Sequence, residues 1–296
     1  GLVRSGWVEI PAAAAARPLP PARRVSTCAT EHAVAAGQLA PLPDCGDLAP
    51  LLFGSFDIEV YSHDGSFPRA ARPLDRILQI GLTLRRHGAG ADAERSLMLC
   101  LGETDPVPGV ELRVFDTEAA LLGGFAAVVA AEDVDVLVGY NIFGFDLGYM
   151  AERAGRCRAL AGPWPAARAA WAAARARLES GEIETDLWTA KGRRVGLADR
   201  LAALLAQLET EGEVRRMWDA VGGADIDVIE PFFHLGRVRE DLSFPYAKSM
   251  SNAAMGDNTL HLIEMQGRVW FDLYQHIKNN FKLTQYNLNF VSEHFL

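Results

Sequence analysis

Two carboxylates, Asp57 and Glu59, interrupt the run Phe53-Gly54-Ser55-Phe56-Asp57-Ile58-Glu59-Val60, whose other side chains are apolar or small. A run of this length, rich in aromatic and β-branched residues, reads as a strand. On a strand, positions i and i+2 share a face. Phe56, Ile58 and Val60 then enter a core, while Asp57 and Glu59 stand side by side on the opposite face. Adjacent carboxylates repel one another unless a cation lies between them. All-oxygen ligands of this kind suit magnesium or manganese. The fold must therefore be a sheet that buries one side of this strand and offers the other to positive charge.

Spacing alone does not single the pair out. Asp92/Glu94, Asp116/Glu118, Asp133/Asp135, Glu182/Glu184 and Asp225/Asp227 repeat it, as expected of a chain with formal charge −9. Context does, because charge within an apolar aromatic strand has no packing purpose. The nearest rival, Asp225-Ile226-Asp227-Val228, sits between Gly222-Gly223 and Pro231 and reads as a loop edge.

Further strands are expected at Ile77–Leu84 and Ser96–Gly102. Thr117 to Glu132 has a threonine start and helical apolar spacing. Val134 to Asn141 reads as a buried strand, followed by a helix through Leu147 to Ala154. The order strand, strand, strand, helix, strand, helix describes a mixed sheet with helices packed on it. Residues 1–52, rich in Ala and Pro, suit a connector or an incomplete domain edge, with strand expected only at Trp7-Val8-Glu9-Ile10. Residues 155–229 read as a helical insert, with an Ala-rich run from Pro165 to Gly181. A second helix there carries Leu201, Leu204, Leu205 and Leu208. Lys191, Arg193 and Arg194 leave open whether the insert is a DNA-contacting or partner-binding attachment or a solvated helical excursion. Toward the end, Trp270, Leu273, Tyr274, Ile277 and Phe281 define one helical face, and Leu288, Val291 and Phe295 another.

The segment Tyr140-Asn141-Ile142-Phe143-Gly144-Phe145-Asp146 lies where the buried strand hands over to a helix. Asn141 and Asp146 there either cap the helix or hold side chains over the sheet edge.

Together these pieces resemble the proofreading region of family B DNA polymerases of the delta and large-virus type. Phe56-Asp57-Ile58-Glu59 resembles the first exonuclease motif, D-x-E. Asn141, Phe145 and Asp146 resemble the second, N-x-x-x-F-D. Gly65-Ser66-Phe67-Pro68 is similar to the family's G-x-F-P element. Residues 267–296 are similar to the segment that precedes the third motif, and Trp7-Val8-Glu9 to a strand closing the N-terminal domain.

The resemblance implies an α/β (α+β) fold, an RNase H-like 3′→5′ exonuclease with a mixed sheet. Residues 1–52 would be the tail of an N-terminal domain, and residues 53–296 the exonuclease domain carrying the 155–229 insert. It implies two Mg2+ or Mn2+ ions held by Asp57, Glu59 and Asp146 as catalytic residues, and hydrolysis of the 3′-terminal phosphodiester. DNA contacts would come from Phe67, Asn141 and Phe145, although Phe67 also reads as an ordinary loop aromatic. The substrate would be the single-stranded 3′ end of a primer, and the first partner the remainder of the polymerase chain. A sliding clamp or accessory subunits are further candidates, in the nucleus or at a viral replication site. The third motif, Y-x-x-x-D, does not occur in these 296 residues. The expectation is therefore a fragment of a longer polymerase, inactive in isolation.

Asp272 is the one nearby acid that could substitute, and a structural hydrogen-bonding role is expected of it. A stand-alone exonuclease would need its own final aspartate. A catalytically silent module that positions DNA or a partner is the reading from another class, and the retained carboxylates argue against it. The four cysteines are scattered without a C-x-x-C pair and read as reduced thiols. No apolar run of about 20 residues is free of charge and proline, so no membrane span is expected.

Overall fold

A computed structural model describes residues 7–10, 18–28, 30–161, 186–188, 194–196, 226–252 and 256–296. Its centre is a strand whose burial alternates residue by residue. In β3 (Leu52–Val60), Leu52, Gly54, Phe56 and Ile58 are buried, while Ser55, Asp57 and Glu59 are exposed. A short pair, β1 (Val8–Glu9) and β2 (Ala40–Pro41), precedes it. β4 (Ile77–Arg86) runs antiparallel to β3, with Asp57 opposite Gly81 and Glu59 opposite Gln79, and the register shifts after Glu59. β5 (Arg95–Leu101) continues antiparallel, and β6 (Val110–Phe115) pairs parallel to β5.

On the other flank of β3 lie β7 (Val136–Gly139) and β12 (Val269–Asp272), both parallel to their neighbours. The six-stranded order is β12-β7-β3-β4-β5-β6. This is the mixed sheet expected from the sequence.

Helix α1 (Glu118–Ala131) starts at Thr117, whose side chain accepts a hydrogen bond from the Ala120 amide. This cap satisfies one of the amides left open at a helix start. Its apolar residues surround the axis, because α1 lies between the sheet and the segment formed by α3 (Ile226–Ile229) and the 3-10 turn Glu230–His234. A helix apolar on all sides belongs inside a protein. Leu121, Leu122, Phe125 and Val129 are fully buried, as are Ile77, Ile80, Leu99 and Leu137 of the sheet. Helix α2 (Asp146–Ala161) follows β7, and α4 (Leu273–Asn280) and α5 (Leu288–Phe295) close the chain.

Several features differ from the sequence expectation. The edge strand β6 was not expected, because Glu111 and Arg113 break its pattern; charges of this kind blunt a sheet edge, and Glu111 forms ion pairs there with both Arg95 and Arg113. Trp270 belongs to β12, and helix α4 begins three residues later, at Leu273. The spacing of Trp270 to Leu273 and Tyr274 imitates a helical face, but pairing with β7 wins locally. A hairpin of β10 (Pro245–Asn252) and β11 (Gly256–Ile263) was not read from the sequence. Within the proposed insert, β8 (Asp186–Trp188) pairs antiparallel with β9 (Arg194–Gly196), and α2 extends into it to Ala161. The Ala-rich run and the Leu201–Leu208 face of that insert lie outside the described residues.

Asp227, half of the rival carboxylate pair, sits on α3 rather than in a loop. Among the described residues no helix is long and apolar enough to cross a membrane. The four cysteines are free thiols.

Candidate active site

Asp57 projects from the exposed face of β3, and Asp146 is the first residue of α2. The chain leaves β7 at Gly139 so close to β3 that an added Cβ would lie 2.8 Å from the Phe56 carbonyl oxygen. Only a glycine permits that approach. Asn141 then takes a left-handed conformation, φ 62°, and its carbonyl accepts from the Gly144 and Phe145 amides in the turn that opens α2. An added Cβ on Gly144 would collide with the Asn141 carboxamide, so that side chain lies folded over the turn.

This turn is pinned from below by Asp272. Its buried carboxylate accepts from the Asn141 amide at 2.9 Å, the Phe143 amide at 3.0 Å and the Tyr274 amide at 2.9 Å. The last of these also caps α4. Burial raises the Asp272 carboxyl above its ordinary range, and these backbone amides offset only part of that rise. Asp272 thus serves as the anchor of the turn.

The consequence is a pair of neighbouring carboxyl groups. Asp146 is buried and accepts from the Ile58 amide at 3.3 Å, and Asp57 lies close enough for its charge to act on Asp146. Burial first, and the Asp57 charge second, push Asp146 up to about 7, and Asp57 is raised as well, chiefly by burial. Glu59 occupies the same face two positions along β3, next to the register shift. Among the described residues, no three His, Cys, Asp or Glu side chains converge on a common point. A cation between Asp57 and Asp146 would relieve their repulsion, and the donors are hard oxygens, so the pair fits a divalent metal.

The loop from Tyr61 to Arg76 carries Phe67, a residue 73% exposed. Phe67 meets Phe145 edge-on, and Phe145 meets Tyr149 one turn further along α2. The loop is held by buried charge that the sequence reading did not anticipate. Asp75, fully buried, accepts from the amides of His63 and Arg69 and bonds the His63 ring. Despite its burial these donors hold its carboxyl below the ordinary range, His63 foremost. Arg153 of α2 is also fully buried, pairs with Glu118 of α1, and donates to the carbonyls of Ala70, Arg72 and Pro73. Nothing in the spacing of Glu118 and Arg153 marks them, because they meet only when both helices dock.

Other close acidic pairs have structural employment. Asp133 and Asp135 bind Arg237 at 2.7 Å each, and Asp135 also accepts from the Leu52 amide. Asp57 and Asp146 differ in having no cationic partner among the described residues.

The sequence model of the family described as "DNA polymerase family B, exonuclease domain" matches residues 1–163. A DNA polymerase of Paramecium bursaria Chlorella virus NY2A is 26% identical over 98% of the chain. The DNA polymerase delta catalytic subunit of Oryza sativa subsp. japonica is 26% identical over the whole chain. A DNA polymerase of Acanthamoeba polyphaga mimivirus is 37% identical over 43% of it. The chain spans 24%, 20% and 7% of these relatives' lengths, so the likeness concerns one region of much longer proteins. That region coincides with the mixed sheet, the two carboxylates and the turn between them, and the chain belongs to the exonuclease-domain family of family B DNA polymerases.

Proposed function

We propose that this chain carries a 3′→5′ proofreading exonuclease site acting on the single-stranded 3′ end of a DNA primer. The observation that carries the reading is the close pair of carboxyl groups Asp57 and Asp146, brought together at a sheet face within this family's fold. Carboxylates placed so closely are costly unless a cation joins them. Asp57 and Asp146 would hold Mg2+ or Mn2+, with Glu59 completing the ligand set of a second ion from the same strand face. Bound there, the metals would activate water and neutralise charge on the scissile phosphate. The chain's own contributions are geometric. Asp272 fixes the turn that aims Asp146, and Asn141 and Phe145 border the approach to the carboxylates. Phe67, on its charge-strapped loop, offers a face for stacking against a terminal base.

In this reading, residues 1–52 belong to an N-terminal domain and residues 53–296 to the exonuclease domain. The natural partners are DNA and a polymerase region that hands over mispaired ends, with a sliding clamp or accessory subunits beyond, in a nucleus or at a viral replication site.

Titration with Mn2+ followed by electron paramagnetic resonance tests the assignment. Asp57→Ala and Asp146→Ala should each weaken binding by at least about 10–100-fold, the loss typical of a mere supporting partner. Mn2+ affinity unchanged in both variants would remove the metal site and the reading with it.

A further inference from the structure

Gly81 stands directly across from Asp57 on β4, and the fold itself has no use for its missing side chain. It lies inside a strand paired on both edges, with β3 on one side and Met98 of β5 on the other. A glycine there weakens a strand, through entropy and lost packing. Its backbone is not among the positive-φ positions of the chain. Nor does a neighbour demand it, because an added Cβ would meet nothing within 4 Å. Gly54 and Gly139 on adjoining strands differ, since close neighbours crowd the space where their Cβ atoms would lie.

Position decides what the open space serves. β3 lies between β7 and β4. Asp146 reaches Asp57 from the β7 side, so a metal between these carboxylates belongs on that side. Gly81 opens the opposite flank. Opposed residues on neighbouring strands place their Cβ atoms about 5 Å apart on one face. The strip over Gly81 is therefore walled by the Asp57 carboxylate on one side and the half-buried Met98 thioether on the other. An anionic wall that can carry metal, beside a soft apolar one, suits a unit with a phosphate at one end and a sugar and base at the other.

We propose that Gly81 is a clearance position, kept free of a side chain so that the terminal deoxynucleotide can lie against the sheet beside Asp57. This rests on the exonuclease reading above. A side chain at residue 81 would occupy the nucleotide's place without disturbing the carboxylates or the core. Gly155 supplies a control, because an added Cβ there also meets nothing, yet it lies on the exposed side of α2.

The experiment compares the wild-type chain with Gly81→Ala, Gly81→Val and Gly155→Ala. Three quantities are read: thermal midpoint without metal, Mn2+ affinity, and affinity for a 5′-labelled oligodeoxythymidylate in calcium. Both position-81 variants should melt no lower than wild type and bind Mn2+ as wild type does. Oligonucleotide affinity should fall for Ala and further for Val, by about tenfold or more for the larger side chain, as expected when bulk enters a filled contact. Gly155→Ala should bind the oligonucleotide unchanged. Undiminished oligonucleotide affinity in Gly81→Val overturns the clearance role, and so does a lowered melting point in Gly81→Ala, which would make Gly81 a folding residue. If wild type and Asp57→Ala bind Mn2+ and oligonucleotide equally, the exonuclease reading fails, and the clearance role falls with it.

Discussion

The ring of Phe67 stands edge-on to that of Phe145, with centroids 5.6 Å apart and planes at 69°. One ring belongs to a loop and the other to the residue just before the helix that starts at Asp146, so the contact ties the loop tip to the carboxylate site. Edge-to-face pairs of this kind add about 0.5–1.5 kcal/mol beyond burial. With 73% of Phe67 exposed, most of its surface is free to meet a base.

Phe67→Ala is therefore expected to leave the unfolding midpoint nearly unchanged and to weaken single-stranded DNA binding. A stacked base is worth about 1–3 kcal/mol, or roughly 5- to 150-fold in affinity. Fluorescence anisotropy with a labelled oligonucleotide measures it, and equal affinities would leave Phe67 as a loop aromatic only.

The Asp57–Asp146 pair predicts an unusual pH dependence in the absence of metal. Asp146 titrates near 7 in the folded chain and near 3.8 when unfolded. The native state therefore binds more protons between these values, and stability falls as pH rises through the window from about 4 to 7. Each unit of separation is worth about 1.4 kcal/mol, so the fall attributable to Asp146 is on the order of 2–4 kcal/mol. Urea unfolding in EDTA at pH 4.5 and 7.5 should show it, and Asp146→Asn should remove that component. Saturating Mn2+ should restore the wild-type stability at the higher pH. A slope identical in wild type and Asp146→Asn would contradict the pairing.

Glu118 and Arg153 form a fully buried ion pair that also holds three carbonyls of the Phe67 loop. Removing one partner strands the other charge, at a typical cost of about 3–5 kcal/mol. Glu118→Gln and Arg153→Met should each show that loss in chemical denaturation. The double variant should lose less than the sum, because no lone charge remains. Strict additivity would mean that the two charges act independently.

Asp272→Asn separates an anchor from a metal ligand. Replacing an acceptor of three amides should cost about 1–3 kcal/mol of stability through unsatisfied donors. Its effect on Mn2+ affinity should stay well below that of Asp146→Ala. Lost Mn2+ binding with unchanged stability would instead place Asp272 among the ligands.

Several elements were legible in the residues themselves because their determinants are local. The alternation across Leu52–Val60 follows from the two-residue period of a strand, which puts Asp57 and Glu59 on one face wherever the strand lies. Thr117 caps α1 through an amide three residues away. The Asn141–Asp146 turn was recognisable because left-handed backbone and helix entry draw on short-range residue preferences. The mixed sheet also followed from the order of strands and helices.

Tertiary structure decided the rest. Val269–Asp272 is a strand because β7 offers it a parallel partner, although Trp270 keeps helical spacing with Leu273 and Tyr274. Glu111 and Arg113 obscured β6 until Arg95 came alongside. Glu118 and Arg153 are far apart in sequence and unmarked by any pattern, yet the docking of α1 on α2 buries them together beneath the loop that carries Phe67 and the buried Asp75. The chain's residues determined that Asp57 would face away from the core. That Asp146 meets it was decided by the parallel pairing of β7 with β3, since the energy of two neighbouring carboxyl groups depends on a distance that no local sequence sets.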